Sequence, residues 1–163
     1  MTDLRDALRA LAHEEFASGR DTLLALVDEH PTWSDAWALL SGAHLALAEV
    51  DRASAASERA LALAPDGFLP RMKAGELAMR LGHLETAEEQ FLAAVRATEP
   101  DTADAAAARH ALLFARRATR SGIAHRARLP ELGRLVERMV RPIRSGSSLV
   151  GRVRRARAAR EAT

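Results

Sequence analysis

The sequence predicts an all-α protein built from stacked helical hairpins, and three observations support this fold class. Apolar residues make up 48% of the 163 residues but aromatic residues only 4%, so the core must consist mainly of Ala, Leu and Val. Ala and Leu are strong helix formers. Ala53 and Ala60 recur as Ala87 and Ala94, both at the same 34-residue interval. Proline and glycine separate successive amphipathic segments, whereas strand patterns are sparse.

Turn and cap residues indicate where the predicted helices begin and end. Residues 64–67, Ala-Pro-Asp-Gly, form a turn after the fourth helix, and Gly82 separates the fifth from the sixth. Thr32 offers an N-cap oxygen for the third helix, and Asp101 or Thr102 caps the seventh. The predicted helices cover residues 2–12, 16 or 18 to 29, 34–47, 51–63, 69–81, 84–98 and 102–119.

The repeated stretches resemble units of the tetratricopeptide repeat (TPR) family, whose helix-turn-helix unit has the same period. Residues 68–100 match best, and residues 34–67 match with Ser41 and Ala48 where the family often has glycine. Residues 1–33 match loosely. The matching residues are Ala74, Gly75, Gly82, Leu84, Ala87, Phe91 and Ala94, then Trp37, Leu40, Ala53, Ala60 and Pro65, and finally Phe16, Gly19, Leu23 and Pro31. The resemblance implies a TPR-type α-solenoid of about three repeats, the first degenerate.

Beyond Arg120 the 34-residue pattern stops and the chain becomes basic. Residues 1–100 carry 9 basic and 17 acidic side chains, whereas residues 101–163 carry 15 basic and 5 acidic ones. This asymmetry predicts separate parts with separate roles. They are a repeat domain over 1–120, a linker and amphipathic capping helix over 121–144, and an Arg-rich helical arm over 145–163. The capping helix is predicted from the apolar stripe Leu132, Leu135, Val136, Met139 and Val140.

Motifs for catalysis and cofactor binding fail on inspection. Without cysteine, the chain has no disulfides, cysteine-based zinc sites or thiol chemistry. His13 begins a stretch that resembles a zincin helix, but Ala17 stands where the second histidine is needed. Residues 146–153 imitate a phosphate loop, yet Arg152 replaces its lysine and Val153 its Ser or Thr. We therefore expect a non-enzymatic protein with neither cofactor nor metal.

The N-terminal residues are charged, and no stretch approaches the roughly 18 apolar residues of a membrane span. We expect a cytoplasmic protein, with peripheral attachment to a membrane left open. Arginine supplies every basic side chain except Lys73, which is typical of proteins from GC-rich bacterial genomes.

The TPR resemblance also implies where a partner binds, because the first helix of each unit lines the concave groove in that family. Here these positions are mostly apolar, and methionine adapts to varied partners, so an apolar or amphipathic helix of another protein is the expected ligand. TPR domains that clamp a carboxylate use several Lys, Arg and Asn there, whereas this chain has no Asn. The same positions can instead pack on the chain's own capping helix. The predicted groove residues are Leu45, Leu69, Met72, Glu76, Met79, Arg80, His110, Leu113 and Phe114.

The Arg-rich arm adds an electrostatic attachment, and three partners stay open for it. Phosphates of nucleic acid, anionic lipid and an acidic protein, including a neighbouring copy of this chain, all attract arginine. The arm residues are Arg152, Arg154, Arg155, Arg157 and Arg160. The preferred function is a TPR adaptor or assembly factor that holds a partner segment in its groove. The rival is an accessory protein on nucleic acid or an anionic membrane surface, with the repeats as a scaffold.

Overall fold

The computed structural model describes residues 4–121, and every regular element in this part of the chain is an α-helix. The helices are α1 (Leu4–Ala12), α2 (Phe16–Glu29), α3 (Ser34–Ala46), α4 (Val50–Leu63), α5 (Phe68–Leu81), α6 (Leu84–Arg96) and α7 (Ala103–Ser121). The all-α prediction is confirmed, and the predicted helix boundaries lie close to the observed ones. Apart from Ser121, the predicted linker and capping helix (121–144) and the predicted arm (145–163) lie outside the described residues.

The predicted cap of the third helix is wrong, and of the two alternatives for the seventh helix Thr102 is confirmed. Trp33, not Thr32, occupies the N-cap position of α3, and no side chain caps that helix. The Trp33 N–H donates to the His30 carbonyl at 3.0 Å, so a hydrogen-bonded turn precedes the helix and leaves Thr32 outside it. At α7, Thr102 Oγ1 accepts a hydrogen bond from the Ala105 N–H at 3.1 Å, as an N-cap residue should.

Five of the seven helices begin at intervals of 34 residues from an equivalent helix. The second helices of the three hairpins, α2, α4 and α6, begin at Phe16, Val50 and Leu84, and both steps equal the 34-residue interval of the sequence. The first helices α3 and α5 begin at Ser34 and Phe68, which are separated by the same interval. The interval detected in the sequence is therefore an interval of the structure.

The turn inside each hairpin repeats with the same interval. Glu14, Ala48 and Gly82 precede α2, α4 and α6, and their φ angles are 64°, 60° and 79°. This left-handed conformation is easy for glycine but strained for residues that carry a Cβ atom. The geometry thus extends to the first hairpin, whose sequence matched the repeat only loosely.

Ala48→Gly is expected to stabilise the protein. The left-handed conformation costs alanine roughly 1–2 kcal/mol, and the greater freedom of glycine in the unfolded chain offsets part of the gain. We expect the free energy of unfolding, measured by urea denaturation, to rise by about 0.5–1 kcal/mol. Ala55→Gly, at an exposed position within α4, should lower it by about 1 kcal/mol. An equal loss in both variants would contradict the strained turn.

The hairpins pack on one another in chain order. The pairs α1/α2, α3/α4 and α5/α6 are each in contact; α3 also packs on α2 and on α5, and α4 packs on α5. At the far end α7 packs on α6. Each hairpin therefore buries the apolar side of its neighbour, as a single hairpin cannot do alone.

The repeated alanines lie where these helices meet. Ala53, Ala60, Ala87 and Ala94 are all 0% exposed. A side chain of one carbon allows neighbouring helices to approach closely, and packing at the density of a protein interior leaves no room for a larger one. The residues that define the sequence interval are thus the contact residues of the stack.

A polar network ties α2 to the turn between α3 and α4. Nδ1 of the buried His44 lies 2.5 Å from Glu49 Oε2. Glu49 Oε1 accepts a hydrogen bond from Arg20 Nη1 at 3.1 Å, and Arg20 also donates to Asp21. The hydrogen bond with His44, followed by the charge of Arg20, lowers the pKa of the Glu49 carboxyl despite the opposing effect of burial.

The stabilising effect of Glu49 should disappear in acid. A carboxyl whose pKa is lower in the folded state stabilises that state above its unfolded pKa, near 4.3 for glutamate, and loses the effect as the pH falls through the lowered folded pKa. We expect Glu49→Gln to lower the urea midpoint at pH 7, and the difference from wild type to shrink as pH falls below about 4. Glu58→Gln, on an exposed side of α4, serves as the control at pH 7. A difference that stays constant with pH would contradict this role of Glu49.

Candidate partner-binding surface

The predicted groove residues divide by exposure. Those on α3 and α5 are buried except for Arg80, with exposed fractions from 0% for Met79 to 8% for Leu45 and Glu76. Arg80 and Phe114 are half-buried, whereas His110 and Leu113 are exposed. The buried residues are Leu45, Leu69, Met72, Glu76 and Met79. The exposed members of the predicted groove therefore all lie on α7.

The buried members contribute to the packing of the stack. Leu45 packs with Ala53 of α4 and Leu77 of α5, and Met72 and Met79 belong to the main hydrophobic core. A charged substitution at either methionine would place an ion in that core, which is costly. Such variants would measure folding rather than partner binding, so binding has to be tested on α7.

An ion pair lies among these apolar residues, at the contact of α5 with α3. Lys73 Nζ is 2.7 Å from Glu76 Oε2, and both side chains are buried. A Cβ atom at Gly42 of α3 would lie 3.4 Å from Lys73 Cδ, so the lysine stem packs against the α3 backbone. Within residues 4–121, Glu76 Oε1 has no hydrogen-bond partner. This ion pair was not predicted from the sequence. Two features of the sequence indicated it: Lys73 is the only lysine, and it lies three residues before Glu76.

The exposed side of α7 combines an apolar side chain with basic ones. Leu113 is 61% exposed and lines a hollow of about 580 Å³ together with Arg116, Arg117, Arg120 and Ser121. These residues follow Leu113 by three, four, seven and eight positions, which places them on one side of the helix. We call Leu113, Arg116, Arg117 and Arg120 the α7 face. The spacing of these arginines from Leu113 could have predicted the face from the sequence. Arginine is so abundant in this chain that the spacing did not stand out.

Two of the three guanidinium groups of the α7 face are available for an anionic partner. Arg116 Nε lies 3.6 Å from Glu88 Oε2, whereas Arg117 and Arg120 are exposed and make no ion pair with any of residues 4–121. Guanidinium groups bind carboxylates and phosphates through paired hydrogen bonds. No aromatic ring is among the five residues that line the hollow, although sites for single-stranded nucleic acid use such rings. The surface therefore suits an apolar side chain flanked by acidic groups.

Within residues 4–121 no cluster of three His, Asp or Glu side chains is placed to hold a metal ion. Across the same residues, no helix combines the length and the hydropathy that crossing a bilayer requires. The predicted arm residues Arg152, Arg154, Arg155, Arg157 and Arg160 lie outside the described part of the chain.

No protein-family model matches this chain, and no curated protein matches it in sequence. The 34-residue geometry of the stack and the α7 face are therefore the observations from which a function can be inferred.

Proposed function

We propose that this protein is a TPR-type adaptor or assembly factor that binds an apolar or amphipathic segment of a partner protein. The observation that carries the proposal is the 34-residue interval of both the helix starts and the left-handed turns. This interval is the period of the TPR helix pair. Stacks of such pairs present an extended surface to other chains, so a binding function is consistent with this architecture.

The α7 face is the accessible part of the proposed binding surface. An amphipathic helix would place an apolar side chain on Leu113 and acidic side chains beside Arg117 and Arg120. This mode of binding, in which a helix places its apolar side on a complementary groove, is common in protein recognition. Full burial of one leucine contributes about 1.5–3 kcal/mol, which makes Leu113 the side chain with the largest expected share of the affinity.

Leu113→Glu is expected to weaken binding of a partner segment at least about tenfold, because it removes the apolar contact. Peptides are selected from a display library on the immobilised full-length wild-type protein. Their dissociation constants for wild type and variant are then measured by fluorescence anisotropy. Leu24→Glu, at an exposed leucine on α2, is the matched control and should bind as wild type does. Unchanged affinity in Leu113→Glu would contradict the proposed surface.

The charge distribution of the sequence supports a second candidate, attachment to nucleic acid or an anionic membrane through the arm. Fifteen of the 24 basic residues lie in 101–163. Binding of duplex DNA or phosphatidylserine vesicles should then fall steeply with salt, because counterions are released or charges screened. Deletion of residues 145–163 should abolish that binding if the arm drives it. Retention of peptide binding by the deletion variant supports the adaptor function.

A further inference from the structure

Two large apolar side chains are exposed in residues 4–121, and they lie in different parts of the stack. Leu24 is 43% exposed on α2 in the first hairpin, and Leu113 is 61% exposed on α7, which packs on the last hairpin. An apolar centre surrounded by a polar rim is the usual arrangement of a protein–protein interface. The charges beside the two leucines have opposite signs.

Acidic residues flank Leu24 on the exposed side of α2. Asp21 lies three residues before it and Asp28 four residues after it, and both are exposed. The three residues therefore lie on one side of the helix. Asp28 forms no ion pair within the described residues, whereas Asp21 accepts hydrogen bonds from Arg20 at 2.9 and 2.8 Å. We call Asp21, Leu24 and Asp28 the α2 face.

The α2 face and the α7 face have complementary spacing. If the two leucines are in contact and the helices antiparallel, Asp28 lies level with Arg109 and Asp21 level with Arg116. If the helices are parallel, Asp28 lies level with Arg117. In either orientation an aspartate of the α2 face meets an arginine of α7, whereas two α7 faces would bring arginines together and two α2 faces would bring aspartates together. Arg20, four residues before Leu24, lies level with Arg117 in the antiparallel pair and with Arg109 in the parallel pair. Its ion pairs with Asp21 and Glu49 offset that repulsion.

We propose that the α2 face of one copy of this protein binds the α7 face of another, so that the protein self-associates head to tail. The contact joins two different surfaces, and it leaves one α2 face and one α7 face free at the ends of every open assembly. Such a contact extends into chains unless the rotation between copies closes a ring. The inference goes beyond the proposed function, since the partner is a second copy and the contact stands even if no other protein is bound.

The size of the contact sets its strength. Two helix faces bury less than the roughly 1,200 Å² that a stable interface needs, so association should be weak and reversible. The charged neighbours are exposed, so added salt should weaken it further. Sedimentation velocity of the full-length protein at low salt should show a weight-average mass that rises with protein concentration. A monomer at the highest soluble concentration would overturn the proposal.

Mixing two variants tests the head-to-tail arrangement. Leu24→Glu retains only an intact α7 face, and Leu113→Glu only an intact α2 face, so each alone should be monomeric. An equimolar mixture should form a 1:1 complex and grow no further, because each copy has a single usable face. Self-association of either variant at the wild-type level would place the contact elsewhere, and the absence of a complex in the mixture would also overturn the proposal. Circular dichroism verifies that both variants, altered at exposed positions, are folded.

Charge reversal provides a further test with matched controls. Asp28→Arg should weaken wild-type association about fivefold, since it replaces an exposed attraction with a repulsion. Glu58→Arg and Glu89→Arg make the same charge change at exposed positions of α4 and α6 and should associate as wild type does. Equal weakening in all three would mean that net charge alone drives association, which overturns the proposal. Peptide binding by Leu24→Glu reports on the proposed function separately, because that variant is not expected to self-associate.

Discussion

Phe91→Ala is expected to lower the free energy of unfolding by about 3–5 kcal/mol. The ring of Phe91 is 1% exposed and lies against the backbone of α5 at Gly75. Removal of the ring leaves a cavity between α5 and α6, and neighbours fixed in helices collapse into it only partly. Urea denaturation of the full-length variant, followed by circular dichroism, measures the loss. A loss below about 1 kcal/mol would mean that neighbouring side chains fill the cavity, which would contradict the rigid packing of Phe91 between α5 and α6.

The contact between Phe91 and Gly75 can be tested directly. A Cβ atom at Gly75 would lie 2.4 Å from Phe91 Cε1, so Gly75→Ala should cost about 1–2 kcal/mol even though alanine favours helices. Gly42→Ala, where the nearest atom is Lys73 Cδ at 3.4 Å, should instead gain up to about 1 kcal/mol. In the Phe91→Ala background the cost of Gly75→Ala should vanish. Additive losses would contradict a direct contact.

Lys73→Met is expected to destabilise the fold by about 3–5 kcal/mol. The substitution keeps an apolar stem against Gly42 but removes the ammonium group from Glu76 Oε2. Because Glu76 Oε1 has no hydrogen-bond partner in the described part of the chain, no group there compensates the buried carboxylate of the variant. Thermal and urea unfolding of the variant measure this cost.

Removal of both charges separates the cost of the orphaned carboxylate from the loss of packing. The double variant Lys73→Met, Glu76→Leu should recover most of the lost stability, since a buried ion pair is often replaceable by apolar side chains. Arg116→Met breaks the more exposed pair with Glu88 and should cost less than about 1 kcal/mol. Equal losses for Lys73→Met and Arg116→Met would show that the pair on α5 behaves as a solvated one.

Local signals predict most of the fold. The helix boundaries follow from turn residues and from the apolar periodicity, which depend on residues a few positions apart. The alanines at the 34-residue interval predict the contact positions of the stack, and all four are buried. The failure at Thr32 is also local, because the turn hydrogen bond between Trp33 and His30 competes with a cap that looked equally suitable in sequence.

Equivalent positions of the second and third hairpins are occupied by different residues. The 34-residue interval does not predict which residues pack together at these positions. Gly75 of α5 faces the large Phe91 of α6. At the same positions of the second hairpin stand Ser41 and Ser57, both buried, and Ser41 Oγ donates to the Ala53 carbonyl at 2.8 Å. The third hairpin thus pairs a glycine with a phenylalanine, and the second pairs two serines. Both pairs fill the space between the two helices of a hairpin, and the summed volume of the pair has to match that space.

The sequence by itself determined the all-α fold, the order and limits of the helices and the 34-residue interval, because these depend on local conformational preference and on apolar spacing. Only the tertiary structure decided which apolar residues are available to a partner. Met79 and Leu113 lie 34 residues apart and are both predicted to line the groove, yet Met79 is 0% and Leu113 61% exposed. The periodicity of a helix identifies its apolar side. Whether that side forms the core or a binding surface depends on the elements that pack against it.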